Sequence, residues 1–207
     1  MIIRKHLVFR LALCAALVLS LARCASQKPF TEAERQLIIQ SDSLMHVTVF
    51  PQDSVFLRTP SVDLGPAELG SPELETLLAK MLYTVRHPSQ DGIGIAAPQV
   101  GIGRRVICLQ RFDKEGEPFE AYLNVQIDSL AGEVEPGPEG CLSVPGMRGI
   151  VPRHRRIVVS YIRPGATSIE DRMQECVEGY TAVVFQHECD HLDGILYIDR
   201  ATVVFFE

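Results

Sequence analysis

The clearest periodic pattern of hydrophobic residues lies between residues 71 and 86. Ser71, Pro72 and Glu73 favour a helix start, because they supply a capping hydroxyl, a proline at the first helical position and an acidic first turn. Apolar residues then recur every three or four positions, so that they share one helix face: Leu74, Leu77, Leu78, Met81, Leu82 and Val85. This pattern predicts a helix with one face packed against the core.

Three further runs combine β-branched or aromatic residues with flanking turn residues, which is typical of strands: 105–110, 121–127 and 156–162. Residues 179–192 predict a second, buried helix, and Gly194 is placed to end it. Strands packed around one central helix give an α+β fold. With 207 residues, 46% of them hydrophobic, the chain suits a single core once its first few tens of residues are set aside.

The charge of the chain bears on whether it binds nucleic acid. A formal net charge of −6 and a pI near 5.5 argue against a nucleic-acid-binding surface. Arg148, Arg153, Arg155 and Arg156 form a local basic run, which we interpret as a solvated strand edge. Within this run, Arg148 or Arg153 is a candidate for substrate contact, and one of them is a candidate partner for Asp190.

The second predicted helix carries an H-E-x-x-H motif within residues 186–191, QHECDH. The two histidines are four residues apart, so they project from nearly the same helix face and can bind one metal ion. Glu188 then lies beside that ion, where a carboxylate can take a proton from water. The motif therefore indicates metal-assisted hydrolysis. The alternative is that His187 and His191 are hydrogen-bonded residues at the edge of the core.

Two upstream segments contain residues suited to the same chemistry. In residues 139–143, EGCLS, the thiolate of Cys141 would complete a Cys-His-His ligand set with one coordination position open. A cysteine considered alone would more often be a buried thiol. In residues 92–99, GIGIAAPQ, two glycines permit a close approach of backbone to ligand, and Gln99 supplies an amide donor. The segment lacks the third glycine of a dinucleotide-binding loop, so we exclude a nucleotide role for it.

These three segments, in this order, resemble the motifs of peptide deformylase: G-x-G-x-A-A-x-Q, E-G-C-x-S and Q-H-E-x-D-H. The resemblance extends from about residue 46 to the end of the chain. It implies antiparallel strands packed around a central metal-binding helix that carries H-E-x-x-H. It also implies roles for single residues: Cys141, His187 and His191 as metal ligands, Glu188 as general acid/base, Gln99 and the backbone N–H of Leu142 as an oxyanion hole, and Ile93, Gly94, Gly140 and Arg148 as substrate contacts.

The resemblance further implies a reaction. A metal-dependent hydrolase of this kind removes the N-formyl group from formyl-methionyl peptides or nascent proteins and releases formate. We expect a monomer with one divalent ion, Fe²⁺ in the cell, with Zn²⁺, Ni²⁺ and Co²⁺ as alternatives. Two other functions are compatible with the motifs. One is an exported metallopeptidase-like hydrolase, since H-E-x-x-H occurs in many zincins, and the other is a non-catalytic binder of modified peptide N-termini.

The N-terminal residues depart from this family pattern. Basic residues between positions 4 and 10 precede an apolar stretch that is too short to span a bilayer comfortably, which predicts a secretory signal. We interpret residues 1–24 as a signal-like or lipoprotein-like segment, although Arg23 stands where a lipoprotein signal requires a small residue before Cys24. Residues 25–45 are interpreted as a polar tether or a short surface helix, and residues 46–207 as the peptide deformylase catalytic domain.

The location of the protein depends on whether this signal is used. If it is, the protein is exported and is periplasmic or tethered to a membrane through its N-terminus. If translation starts instead at Met45, the protein is cytoplasmic.

Three cysteines lie outside both the signal and the proposed ligand set. Cys189 is two residues from His187, about 200° around the helix, so it is predicted to face the core. Cys108 and Cys176 could form a disulfide in an exported protein, although the sequence alone does not establish the connectivity.

Overall fold

The computed structural model describes residues 29–40 and 42–206. The predicted signal, residues 1–24, lies outside this range together with the first residues of the predicted tether. Within the range, no helix is long and apolar enough to cross a membrane.

The described residues form one antiparallel sheet, in which the strands pair in the order β1-β2-β3-β4-β5 and β6 pairs with β4. The strands are β1 (Gly94–Ala96), β2 (Val106–Gln110), β3 (Phe119–Cys141), β4 (Val144–Ile162), β5 (Arg172–Glu178) and β6 (Val203–Phe206). The three predicted strands are all present. Those predicted at 121–127 and 156–162 are parts of β3 and β4, which are far longer than expected.

The extra length of β3 and β4 has a physical cause. From residue 128 to 140 most side chains of β3 are exposed, and the segment contains glycine, proline and charged residues. These residues pair with β4 through the backbone, and several register shifts interrupt the pairing. A strand with most of its side chains exposed has no alternating hydrophobic pattern, so the sequence did not reveal it.

The helices are α1 (Glu32–Ile39), α2 (Ser54–Leu57), α3 (Pro72–Arg86), α4 (Gly179–Leu192) and α5 (Tyr197–Arg200), and a 3₁₀ helix spans Ala97–Val100. The helix predicted from residue 71 is α3. Its cap forms as expected, since the Ser71 hydroxyl accepts a hydrogen bond of 3.2 Å from the backbone N–H of Leu74. Leu74, Leu77 and Met81 of the predicted stripe are buried.

Helix α4 is the central helix, and it contacts strands β1 to β5. Phe185, Cys189 and Leu192 are buried on one of its faces, in a cluster with residues of β2 to β5 that includes Tyr122 and Val159. The core position predicted for Cys189 is therefore confirmed. This packing leaves another face of α4 for chemistry.

The suggested disulfide is wrong. Cys108 and Cys176 are both free thiols, because Cys108 is buried on β2 whereas Cys176 is exposed on β5.

The sequence left two interpretations open for residues 25–45, a polar tether or a short surface helix. The structure shows a helix within residues 29–40. Helix α1 begins after Thr31, which forms a capping box with Glu34. Its Ile38 is buried in the same cluster as Leu77 and Met81 of α3. The helix is thus packed on the domain core.

Gly194 ends α4 as predicted, and the structure gives a test of why a glycine stands there. Gly194 has φ +73°, and a β-carbon built on it would lie 2.5 Å from the carbonyl oxygen of Arg58. Gly165 has a similar positive φ of +87° but has nothing within 4 Å of the corresponding point. Position 194 therefore combines backbone strain with a steric clash, and position 165 has the strain alone.

We expect Gly194→Ala to lower the free energy of unfolding by about 2–4 kcal/mol, as the sum of a left-handed conformation and an overpacked contact. Gly165→Ala, the matched control, should cost only about 1 kcal/mol. Urea unfolding followed by circular dichroism measures both. Equal losses in the two variants would show that the contact with Arg58 does not restrict this site.

Candidate metal centre

The site is built where one end of β3 meets α4. His187 and His191 lie one helical turn apart, with ring centroids 5.1 Å from each other. Cys141, the last residue of β3, brings its Sγ to 3.2 Å from Nε2 of His191. One potential ligand atom from each of the three residues lies within 4.8 Å of the others. The structure therefore brings together the three residues that the sequence proposed as metal ligands.

The carboxylate of Glu139 orients the first histidine. Nδ1 of His187 lies 2.8 Å from Oε2 of Glu139. Burial opposes ionisation of Glu139, but its hydrogen bonds with His187 and Arg153 outweigh that effect and lower its pKa to about 2. Because an ionised carboxylate only accepts hydrogen bonds, the proton of His187 is on Nδ1. This leaves its Nε2 as the atom that can bind a metal ion.

The two histidines differ in protonation. Burial, with the positive charges of His187 and Arg153, places the pKa of His191 well below its usual value, so this ring is neutral. Burial also acts against the cation of His187, but hydrogen bonds with Cys141 and Glu139 raise its pKa well above the usual value. A proton and a metal ion therefore compete for the ring of His187.

Arg153 connects Glu139, beside the site, to Asp190 on α4. Its guanidinium donates two hydrogen bonds to Glu139, of 2.8 and 3.0 Å, and a third of 2.5 Å to Asp190. Arg200 donates two more to Asp190, of 2.6 and 2.7 Å. The predicted pairing of an arginine with Asp190 is thus confirmed for Arg153. Our interpretation of the basic run as a solvated strand edge is wrong for Arg153, because this side chain is only 4% exposed.

Glu188 is buried beside the ligand set. It is 3% exposed, and its Oε2 has no hydrogen-bond partner among the described residues. A β-carbon added to Gly94 would collide with the carboxylate of Glu188, so a larger residue here would have to displace that carboxylate. Burial raises the pKa of Glu188 to about 7. A carboxyl group with this pKa can both accept and release a proton near neutral pH.

Gln99 faces the same site from the 3₁₀ helix. Its Oε1 accepts a hydrogen bond of 2.8 Å from the backbone N–H of Ala96, which fixes the orientation of the amide. Its Nε2 then donates to Oγ of Ser143 at 3.2 Å and to Sγ of Cys141 at 3.5 Å. Ser143 was not proposed from the sequence, although it is the last residue of the EGCLS segment. Its backbone N–H also donates to Sγ of Cys141, at 3.4 Å.

A cavity of about 510 Å³ opens over these residues. All the residues proposed as substrate contacts line it, as does Leu142: Ile93, Gly94, Gly140 and Arg148. Tyr180 and Val183 also line it and were not proposed. They precede His187 by seven and four residues on α4, so the helical spacing that links the two histidines identifies them as well.

Comparisons with known proteins agree on one family. The model of the polypeptide deformylase family matches residues 45–204. The peptide deformylase of Leptospira biflexa is 37% identical over 151 residues, which cover 70% of this chain and 81% of the relative. Peptide deformylase 2 of Pseudomonas putida is 44% identical over 138 residues, which cover 64% of this chain and 74% of the relative.

Solved structures give the same result. The Met-Ala-Ser-bound crystal structure of the class I type b peptide deformylase from Acinetobacter baumannii aligns with a TM-score of 0.66 and 32% identity. The alignment covers 76% of this chain and 98% of that one. Fold, sequence and family model thus converge, and the chain belongs to the polypeptide deformylase family.

Proposed function

We propose that this protein hydrolyses the N-formyl group of formyl-methionyl peptides and proteins, releasing formate and a free N-terminal amine. One observation carries the proposal: the three residues of a Cys-His-His ligand set lie together in a deformylase-family chain, and Cys141 and His187 of this set line one cavity with the buried carboxyl group of Glu188 and the amide of Gln99.

Cys141, His187 and His191 would hold one divalent metal ion with a coordination position left open. Their donor atoms fit such an ion, because a thiolate and two imidazoles suit borderline-soft divalent metals. We propose Fe²⁺ in the cell, while Zn²⁺, Ni²⁺ and Co²⁺ suit the same donors. When bound, the ion acts as a Lewis acid and lowers the pKa of a coordinated water.

Glu188 is the proposed general acid/base. As an oxygen–carbon bond forms between water and the formyl carbon, the carboxylate takes the proton that the water loses. When the carbon–nitrogen bond breaks, the carboxyl group returns that proton to the departing amine. Burial supports both steps, because it raises the pKa of Glu188 to about 7, where the group can accept and release a proton near neutral pH.

Gln99 and the backbone N–H of Leu142 are the proposed donors to the oxygen of the formyl group. The hydrogen bond from Ala96 holds the amide of Gln99 with its Nε2 toward Cys141. Leu142 directly follows Cys141 and lines the cavity. Because the Gln99 amide is already held at the site, it has only to exchange one hydrogen-bond partner for the oxygen on which negative charge develops.

The cavity suits a methionine side chain. Ile93, Leu142, Tyr180 and Val183 supply apolar surface around it. Gly94 and Gly140 leave room for the peptide backbone, and Arg148 contributes a positive charge at the wall. The Acinetobacter baumannii relative was solved with Met-Ala-Ser bound, a peptide of the same kind as our proposed product.

The first test is formate release. We expect the metal-loaded protein to release formate from formyl-Met-Ala-Ser and to leave unformylated Met-Ala-Ser uncleaved. Glu188→Gln should keep the metal but lower turnover by at least about 10²-fold, the scale for a lost general acid/base. Glu178→Gln, an exposed carboxylate just ahead of α4, serves as the control. Cleavage of the unformylated peptide would indicate a peptidase instead.

Gln99→Ala should lower kcat by about 10²–10³-fold with a smaller change in KM, because the interaction strengthens in the transition state. Metal content should be unchanged. Gln110→Ala, on β2, controls for loss of an amide elsewhere in the sheet. A raised KM with an intact kcat would mean that Gln99 binds substrate without stabilising the transition state.

Glu139→Gln should weaken metal binding by about 10–100-fold, because a neutral amide no longer fixes the tautomer of His187. Glu135→Gln removes a carboxylate from the same strand, where Glu135 pairs with Arg155 at the surface, and should leave metal affinity unchanged. Competition with a chelator measures both affinities. Equal affinity in wild type and Glu139→Gln would exclude Glu139 as a support for the ligand set.

A further inference from the structure

Residues 29–40 precede the region that the family model matches, yet several of them pack in the core. Phe30 and Ile38 are buried in the same cluster as Val100 and Ile102. Val100 is the last residue of the 3₁₀ helix that carries Gln99, and Ile102 lies two residues beyond it. Leu37 packs against this cluster. A β-carbon built on Gly101 would lie 3.1 Å from a methyl carbon of Leu37, so helix α1 directly covers the residue that follows the 3₁₀ helix.

A buried ion pair fastens α1 at this place. Arg104 is 2% exposed, and its guanidinium donates to both oxygens of Glu34, at 2.9 and 2.8 Å. It also donates to the carbonyl oxygen of Pro29 at 2.7 Å and lies 5.2 Å from the ring centroid of Phe30. Glu34 belongs to α1, whereas Arg104 lies just beyond the 3₁₀ helix. The pair therefore joins the N-terminal segment to the segment that carries Gln99.

The 3₁₀ helix is held on a second side by the chain that follows α1. The backbone N–H of Thr48 donates to the carbonyl oxygen of Gln99 at 2.8 Å, and its hydroxyl donates to that of Pro98 at 3.1 Å. Ile102 returns a backbone hydrogen bond of 3.0 Å to Ala97. The back of the 3₁₀ helix is thus packed and hydrogen-bonded, while the Gln99 side chain points to Cys141 and Ser143 on the opposite side.

We propose that Glu34 and Arg104 are positioning residues for Gln99. This inference rests on the proposed role of Gln99 in the reaction. Without the carboxylate, the guanidinium of Arg104 would be a buried charge lacking its main partner, and the segment around it would have to shift toward water. A shift of this segment moves the backbone of Gln99, and small misplacements of a catalytic donor are enough to slow a reaction.

A double-mutant cycle separates positioning from general destabilisation. We expect Glu34→Gln to lower kcat on formyl-Met-Ala-Ser by about 5–50-fold with KM and metal content nearly unchanged. In a Gln99→Ala background the same substitution should have no further effect on kcat, because the group through which it acts is gone. The melting temperature should fall in both backgrounds. Glu32→Gln, on the same helix but exposed, is the matched control and should leave kcat unchanged.

Two outcomes would overturn the inference: an unchanged kcat in Glu34→Gln, or the same fold-loss in both backgrounds. Failure of the proposed function is distinguishable, since the wild-type protein would then release no formate. If Glu34→Gln does not fold, Thr31→Ala replaces it in the cycle with the same criteria. That variant leaves Glu34 in place but removes the γ-methyl group and the hydroxyl of Thr31, which donates to the Glu34 side chain at 3.0 Å and accepts from the Glu34 N–H at 3.2 Å.

Discussion

The arrangement of the site depends on one buried guanidinium. Arg153 projects from β4 and is hydrogen-bonded to Glu139 on β3 and to Asp190 on α4. Each of these groups would be costly to bury alone, and loss of one partner from a buried ion pair typically costs on the order of 3–5 kcal/mol. The three elements are therefore held in one relative position. Because Glu139 in turn holds His187, the same constraint sets the distance between a proposed ligand on α4 and a proposed ligand on β3.

The helix that carries the two proposed histidine ligands has two faces in different environments. On one face, Phe185 and Leu192 are buried in the apolar cluster formed with the sheet. On the other, Glu188 and His191 are almost inaccessible, and Oε2 of Glu188 and Nδ1 of His191 lack hydrogen-bond partners among the described residues. Unsatisfied polar atoms at such depth oppose folding. The apolar packing of the first face offsets this cost, so a site of this kind needs a rigid core directly beneath it.

How much the sequence could predict depends on the range of the interactions. Helix α3 and the ending of α4 at Gly194 follow from local spacing and capping, and the three ligands follow from motifs in which each residue type has a chemical reason. The buried position of Arg153 was missed, because a basic run is usually solvated and nothing local shows that Glu139 and Asp190 converge on one member of it. The distal part of β3 was missed because most of its side chains are exposed and leave no hydrophobic period, and the part of β4 that pairs with it was missed as well.

The ion pair between Glu34 and Arg104 could not be predicted from local sequence either, because its partners are far apart in the chain. Seventy residues separate the two partners, and neither lies in a motif. Seen locally, Glu34 is an acidic residue in the first turn of a polar helix, and such a helix suits a tether as well as a packed element. Only the burial of Phe30 and Ile38 against the residues around the 3₁₀ helix distinguishes the two. The packed structure therefore includes Phe30 and Ile38, ahead of the family motifs, and a boundary drawn at the first motif-like residue would cut through a continuous core. Removing residues 29–44 would expose apolar surface and leave Arg104 without its carboxylate, so the energetics of this segment belong to the same unit as the metal site.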